Sequence, residues 1–198
     1  MKSRRLWVLG GLVSVLVILT AIAVVLIGQG VPDDDPIAQP TSTASNLPVF
    51  PKLAGTNLNF DEVRIPTDLD AGLKLLVVSY DSDQQPDVDG WLSPLEALNE
   101  QYPDLAGYYL PLLPKDTADS AAFIIGGMAM MASDTNRTRT IIVFTDVERF
   151  NQLVGVESQD AIQLFLLDAE NQIQWRGIGA YSDEKLQSLV GVLGELVS

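Results

Sequence analysis

Leu73 to Tyr80 reads LKLLVVSY, a short run that is mostly apolar and rich in β-branched residues. A strand covered on both faces has this composition, because neither side of it meets water. The run therefore predicts a buried central strand. Tyr108 to Leu113 (YYLPLL) and Thr140 to Thr145 (TIIVFT) have the same character and predict a second and a third. Helical signals fill the intervals. Ser93-Pro94-Leu95-Glu96 is a capping box with proline at the first helical position. Trp91, Leu92, Leu95, Leu98 and Tyr102 recur at helical spacing and predict one buried face. Ala121 to Ala132 is an apolar, Met-rich helical segment, and a short helix is expected over Val147 to Leu153.

The C-terminal third changes pattern. Ala161 to Leu167 (AIQLFLL) and Ile173 to Gly179 flank Asp168-Ala169-Glu170-Asn171, which reads as a hairpin connection. Ser182 caps a last helix with Asp183 and Glu184 in its first turn. Leu186, Leu189, Val190, Leu193, Leu196 and Val197 form its apolar stripe. Alternating strands and helices followed by an antiparallel pair predict an α/β fold, a mixed sheet flanked by helices on both faces. That is the order of a thioredoxin-like domain, here over residues 48–198.

Upstream, Leu6 to Ile27 carries no charge, and Lys2, Arg4 and Arg5 immediately precede it. At helical rise the run spans about 30 Å, the thickness of a bilayer's hydrocarbon core. It predicts one N-terminal transmembrane helix over 6–27, following a cytoplasmic N-terminus of residues 1–5. Basic residues stay with the cytoplasm, so the domain is expected outside it, on a single-pass cell-membrane protein. A cleaved signal peptide is the competing reading, because Ala21-Ile22-Ala23 resembles a cleavage site. Against it, the apolar run exceeds a usual signal core. Residues 28–47, rich in Gly, Pro, Ser, Thr and Asp, read as a flexible linker.

Composition narrows the chemistry. The chain carries a formal net charge of −14. All 26 acidic residues follow the anchor with 9 of the 12 basic ones, so the portion outside carries 9 − 26 = −17. That field repels phosphate backbones, and nucleic-acid binding is not expected. Cysteine and histidine are both absent. Thiol redox chemistry, thiolate or imidazole metal sites and histidine-activated nucleophiles are excluded with them. No cofactor and no enzymatic activity are expected.

Short pieces spread from Phe50 to Leu193 carry a family likeness. They include Phe50-Pro51 with Gly55, Trp91-Leu92 with Pro94-Leu95-Glu96, Tyr102-Pro103 and Tyr109-Leu110-Pro111. Further along stand Gly126-Gly127-Met128, Arg139-Thr140-Ile141 with Thr145-Asp146, and Trp175-Arg176 with Gly179. In this order they resemble the thioredoxin-like assembly factors of the mitochondrial ATP synthase and their bacterial relatives. The resemblance implies a thioredoxin-like scaffold attending to a membrane complex. In redox members the cysteine pair precedes a helix proline resembling Pro94, and the corresponding positions here are Pro86 and Asp89. The proline that precedes a later strand in those members is also missing, with Gln159-Asp160 in its place. The family members act on the matrix side, whereas the anchor here directs the domain to the opposite side.

Three places invite a functional reading. Ala121 to Met131 (AAFIIGGMAMM) is apolar around its circumference, contains two adjacent glycines and ends in methionines, which pack adaptably. It is a helix sandwiched in the core, a surface for a partner or hydrophobic peptide with Phe123, Gly126, Gly127, Met128 and Met130 as the contact residues, or a membrane-surface contact. Arg139 and Asp146, which belong to the resemblance, form either a structural network or a further partner contact. Asp81, Asp83, Asp87 and Asp89 follow the first predicted strand, where α/β sheets place ligand sites. An EF-hand loop starting at Asp81 fails, because Pro86 and Leu92 stand where glycine and glutamate are needed. Trp91 and Trp175 read as core aromatics. The leading expectation is a non-catalytic, membrane-anchored domain that acts by contact, as an assembly or chaperone-like factor for a subunit of a membrane complex. The alternative is a small-ligand binding module using the acidic loop.

Overall fold

The computed structural model describes residues 48–198. The anchor expected over 6–27 and the linker over 28–47 lie outside the described residues. Among the described residues no helix is long and apolar enough to cross a membrane.

Seven strands form one mixed sheet: β1 (Leu53–Asn57), β2 (Glu62–Ile65), β3 (Leu73–Ser79), β4 (Leu105–Pro114), β5 (Ile141–Thr145), β6 (Gln163–Leu167) and β7 (Ile173–Ile178). Their order across the sheet is β2-β1-β5-β4-β3-β6-β7. The run that opened the reading is β3, buried at every position and flanked by parallel β4 and antiparallel β6. It is the third strand in sequence. The β1–β2 hairpin before it went unpredicted, being two short strands at the sheet edge. There Gly55 permits close strand approach, since a Cβ would lie 2.8 Å from the Ile142 carbonyl oxygen.

Five α-helices accompany the sheet: α1 (Gln85–Gln101), α2 (Ala121–Ala129), α3 (Asp134–Arg139), α4 (Val147–Val154) and α5 (Asp183–Leu196). Alternation along the strands separates two faces. On one, Phe150 and Val154 of α4 pack with Leu76, Leu110, Val143 and Phe165. On the other, Trp91, Leu95 and Leu98 of α1 and Leu189 and Leu193 of α5 pack on Leu75, Val77 and Leu164. Ile125 and Ala129 of α2 build a separate small cluster with Leu58 and Ile142. Because Ile142 alternates with Ile141 and Val143, that cluster shares the face of α1 and α5.

Two local expectations are corrected. The capping box at Ser93 starts no helix, because α1 already runs from Gln85 with Pro86 in its first turn and Pro94 in its interior. Val88, Trp91, Leu95 and Leu98 are buried at 3- and 4-residue steps across Pro94. That continuous buried face outweighs the roughly 3 kcal/mol cost of an interior proline. The acidic loop is likewise mostly helical. Asp81 caps a 3₁₀ turn over Ser82–Gln84, and Asp87 and Asp89 belong to α1.

Lys74 is the anomaly of β3, a cation only 4% exposed. Its Nζ donates to the Asp168 carbonyl at 3.3 Å. Burial lowers its pKa from the usual 10.5, against the opposing pull of Asp168, Asp104 and Glu170. Below the depressed folded value both states carry the proton and the folded state bears the burial cost. As pH rises from there towards 10.5, the unfolded chain binds more protons, so this contribution to stability improves. Lys74→Met should abolish that rise. The wild-type minus mutant difference in melting temperature, followed from pH 7 to 10, reads it directly, and a flat difference would refute it. Taking the difference cancels the opposite trend of the buried tyrosines.

Candidate functional site

The two apolar clusters on the α1 face do not meet. Above β4 they are separated, because α1 packs over β3 and β6 and α2 over Ile142 of β5. The result is an open groove of about 640 Å3. One wall is α1, with Val88, Leu92 and Leu95 along it and Asp89, Glu96 and Asn99 among them. The other is Gly127 and Met128 of α2, Met131 and Ala132, and then Thr135 and Asn136 of α3. Val77, Gly107 and Tyr109 contribute to the floor. Its volume and largely apolar lining with a few polar groups fall within the range of ligand sites.

The floor is hydrogen-bonded. Tyr109 Oη donates to Gln85 Oε1 at 3.3 Å and stands 2.9 Å from Ser79 Oγ. Burial raises the Tyr109 pKa, so the phenol stays protonated at neutral pH. Among the described residues Asn99 Oδ1 is buried with no partner, which costs about 1–3 kcal/mol until a donor reaches it. Asp89 accepts from Gln85 Nε2 at 2.8 Å. Among the described residues the one ion pair is Arg64–Asp68, remote in sequence from this groove, so Asp89 and Glu96 are unpaired by any cation.

α2 is neither wholly core nor wholly surface. Ile125 and Ala129 are buried, while Phe123 is 85%, Met130 86% and Met131 91% exposed. Residues 123, 127, 130 and 131 follow helical spacing on the outer side, so an apolar stripe faces solvent. The sandwich reading is thereby corrected, since no described residue covers that stripe. The helix also ends at Ala129, with Met130 as its C-cap. Arg137 closes that end by donating from Nη2 to the Ala129 carbonyl at 2.6 Å.

Of the seven predicted contact residues, Gly127, Met128 and Arg139 line the groove. Phe123 and Met130 lie on the exposed stripe, with Gly126 half-buried on the same helix. Asp146 is elsewhere. It caps α4, accepting from the Arg149 backbone N–H at 2.9 Å, and no hydrogen bond joins it to Arg139. Of the two readings of this pair, a hydrogen-bonded network between Arg139 and Asp146 is not formed, and a partner contact stays open. Arg139 is half-buried, and its charge favours ionisation of Tyr108, whose pKa burial raises. The α1 wall was missed. Its signal was the spacing of Val88, Leu92 and Leu95, obscured by reading Asp81 to Asp89 as a loop.

A second concavity, about 390 Å3, lies where β3 meets α1, lined by Tyr80, Asp81, Asp83, Gln84, Asp87, Gln159 and Asp160. Here the structure joins two segments that the resemblance set apart, through Gln84 Nε2 donating to the Gln159 carbonyl at 2.6 Å. Asp81 accepts from the Asp83 N–H at 2.9 Å. Among the described residues no three Asp or Glu are placed to hold a metal ion.

The mixed sheet and its flanking helices define a thioredoxin-like domain, and the absence of cysteine leaves it without the thiol chemistry of redox members. Among solved structures the chain is similar to the copper-bound ScoI of Arabidopsis thaliana, with a TM-score of 0.52 at 11% identity over 74% of this chain and 99% of that one. It is also similar to a protein from Aquifex aeolicus VF5 ascribed to electron transfer, with a TM-score of 0.50 at 12% identity over 74% and 94%. At these identities the likeness is one of fold. No family model matches the chain, and no curated protein matches it. The thiolate and imidazole ligands suited to copper are both missing from this sequence.

Proposed function

We propose that this is a membrane-anchored, non-catalytic thioredoxin-like domain that acts outside the cytoplasm by protein contact, as an assembly or chaperone-like factor for a membrane complex. The observation that carries the reading is the solvent-facing stripe of Phe123 on α2 with Met130 and Met131 just past its end. Such side chains leave water only when a partner covers them. The resemblance to the ATP synthase assembly factors supports an assembly role. The uncharged run Leu6 to Ile27, with its basic residues before it, supports the anchor and its orientation. That orientation favours a partner exposed outside the cytoplasm over the cytoplasmic part of an ATP synthase.

Crosslinking in native membranes with mass spectrometry tests it. Phe123→Glu with Met130→Glu should remove the partner crosslinks while changing stability by less than about 1 kcal/mol, because both sites are exposed. Crosslinks that persist in this folded variant overturn the reading. The acidic concavity gives the ligand alternative a location. Asp81→Asn with Asp83→Asn leaves crosslinks intact if contact runs through α2.

A further inference from the structure

We infer that the groove between α1 and α2–α3 receives the apolar side chains of a basic amphipathic helix, whose lysines or arginines sit against Asp89 and Glu96. This rests on the contact reading and gives the partner a chemistry. The α1 wall from Gln85 to Asn99 runs about 21 Å at helical rise. The groove is open to solvent along that wall, so a helix can lie across its mouth with a row of its side chains inside.

The lining fixes the character of that row. Val88, Leu92, Leu95, Met128 and Met131 offer apolar contact, and the methionines adapt to unlike shapes. The carboxylates select the polar side. Asp89 and Glu96 are exposed on α1, seven residues and so about two turns apart, with no cation among the described residues paired to either. Arg139 is the one cation in the lining, half-buried at the end of α3. Across the described residues 48–198 the sequence holds 9 basic and 23 acidic side chains, 9 − 23 = −14, so the long-range field also draws in a cationic segment. Met131, just past α2, belongs both to the groove and to the exposed stripe, so the two surfaces are continuous.

The test uses the full chain in phosphatidylcholine nanodiscs, with empty nanodiscs subtracted. The probe is a fluorescein-labelled 18-residue peptide, leucine on one face and lysine on the other, beside a counterpart with glutamate for lysine. Anisotropy should show saturable binding of the lysine peptide, roughly tenfold tighter than the glutamate peptide. Asp89→Lys with Glu96→Lys should invert that preference, and Met131→Glu should weaken the binding of both peptides. The matched control Glu157→Lys with Glu195→Lys alters net charge equally on exposed sites and should leave the preference in place. The proposal is overturned by an absence of saturable binding, by equal affinity for both peptides, by indifference to Met131→Glu, or by a control pair as damaging as the groove pair. Membrane crosslinks that survive the groove variants yet vanish with Phe123→Glu and Met130→Glu would refute the groove while sparing the contact reading.

Discussion

Phe50→Ala should cost about 3–5 kcal/mol, which for a domain of this size lowers the melting temperature by roughly 6–20 °C. Phe50 stands near the start of the described residues and yet is only 1% exposed. Its ring makes edge contacts with Phe150 at 5.7 Å and Phe165 at 5.5 Å, joining the entering chain to α4 and β6. Its backbone N–H also donates to the Asn171 carbonyl at 2.9 Å, beside the β6–β7 turn. Removing the ring empties the centre of one sheet face, and the rigid flanking aromatics cannot collapse into the space. Urea unfolding of the full chain measures the loss. A change below about 1 kcal/mol would mean that Phe50 only covers the core.

Trp91→Ala should be of similar size, about 3–5 kcal/mol, on the opposite face. The indole is fully buried, packs edge-on to Tyr181 at 5.4 Å and donates from Nε1 to the Gly179 carbonyl at 3.3 Å. It thereby fastens α1 to the turn between β7 and α5. Trp91→Phe keeps most of the apolar bulk and forfeits the hydrogen bond, so its loss should be clearly smaller. Equal losses for the two variants would assign the effect to the hydrogen bond instead of packing.

The centre of this fold was legible because burial writes itself into composition. A strand covered on both faces, such as Leu73–Ser79, cannot be polar, and Ser182 before Asp183-Glu184 is a local signal with a local cause. The edges were less legible. β1 and β2 are short, and their turn passes through Phe60 at a φ of 68°, a conformation its residue type does not announce. The start of α1 was masked by prolines and aspartates that suit both a turn and a first helical turn. Only the burial of Val88 and Trp91 decides between them. The groove was not legible at all, because α1, β4 and α2–α3, distant in sequence, come together to line it only in the fold. Residue types could single out α2, but only the packing distinguishes Ile125, which is buried, from Phe123, which is not.

Gly126 and Gly127 acquire a meaning from their surroundings. A Cβ at either would meet nothing within 4 Å, so close packing does not require glycine at these two sites. Together they lower helix propensity by about 2 kcal/mol relative to alanine. Ser120 adds no side-chain cap at the other end, and the helix is nine residues long. α2 is held by Ile125 and Ala129, by the partly buried Ala121, Ile124 and Met128, and by the Arg137 clasp. Its low propensity makes it the element expected to open before the seven-stranded sheet does. A surface that loosens in this way can be reshaped by whatever it meets, at the expense of affinity.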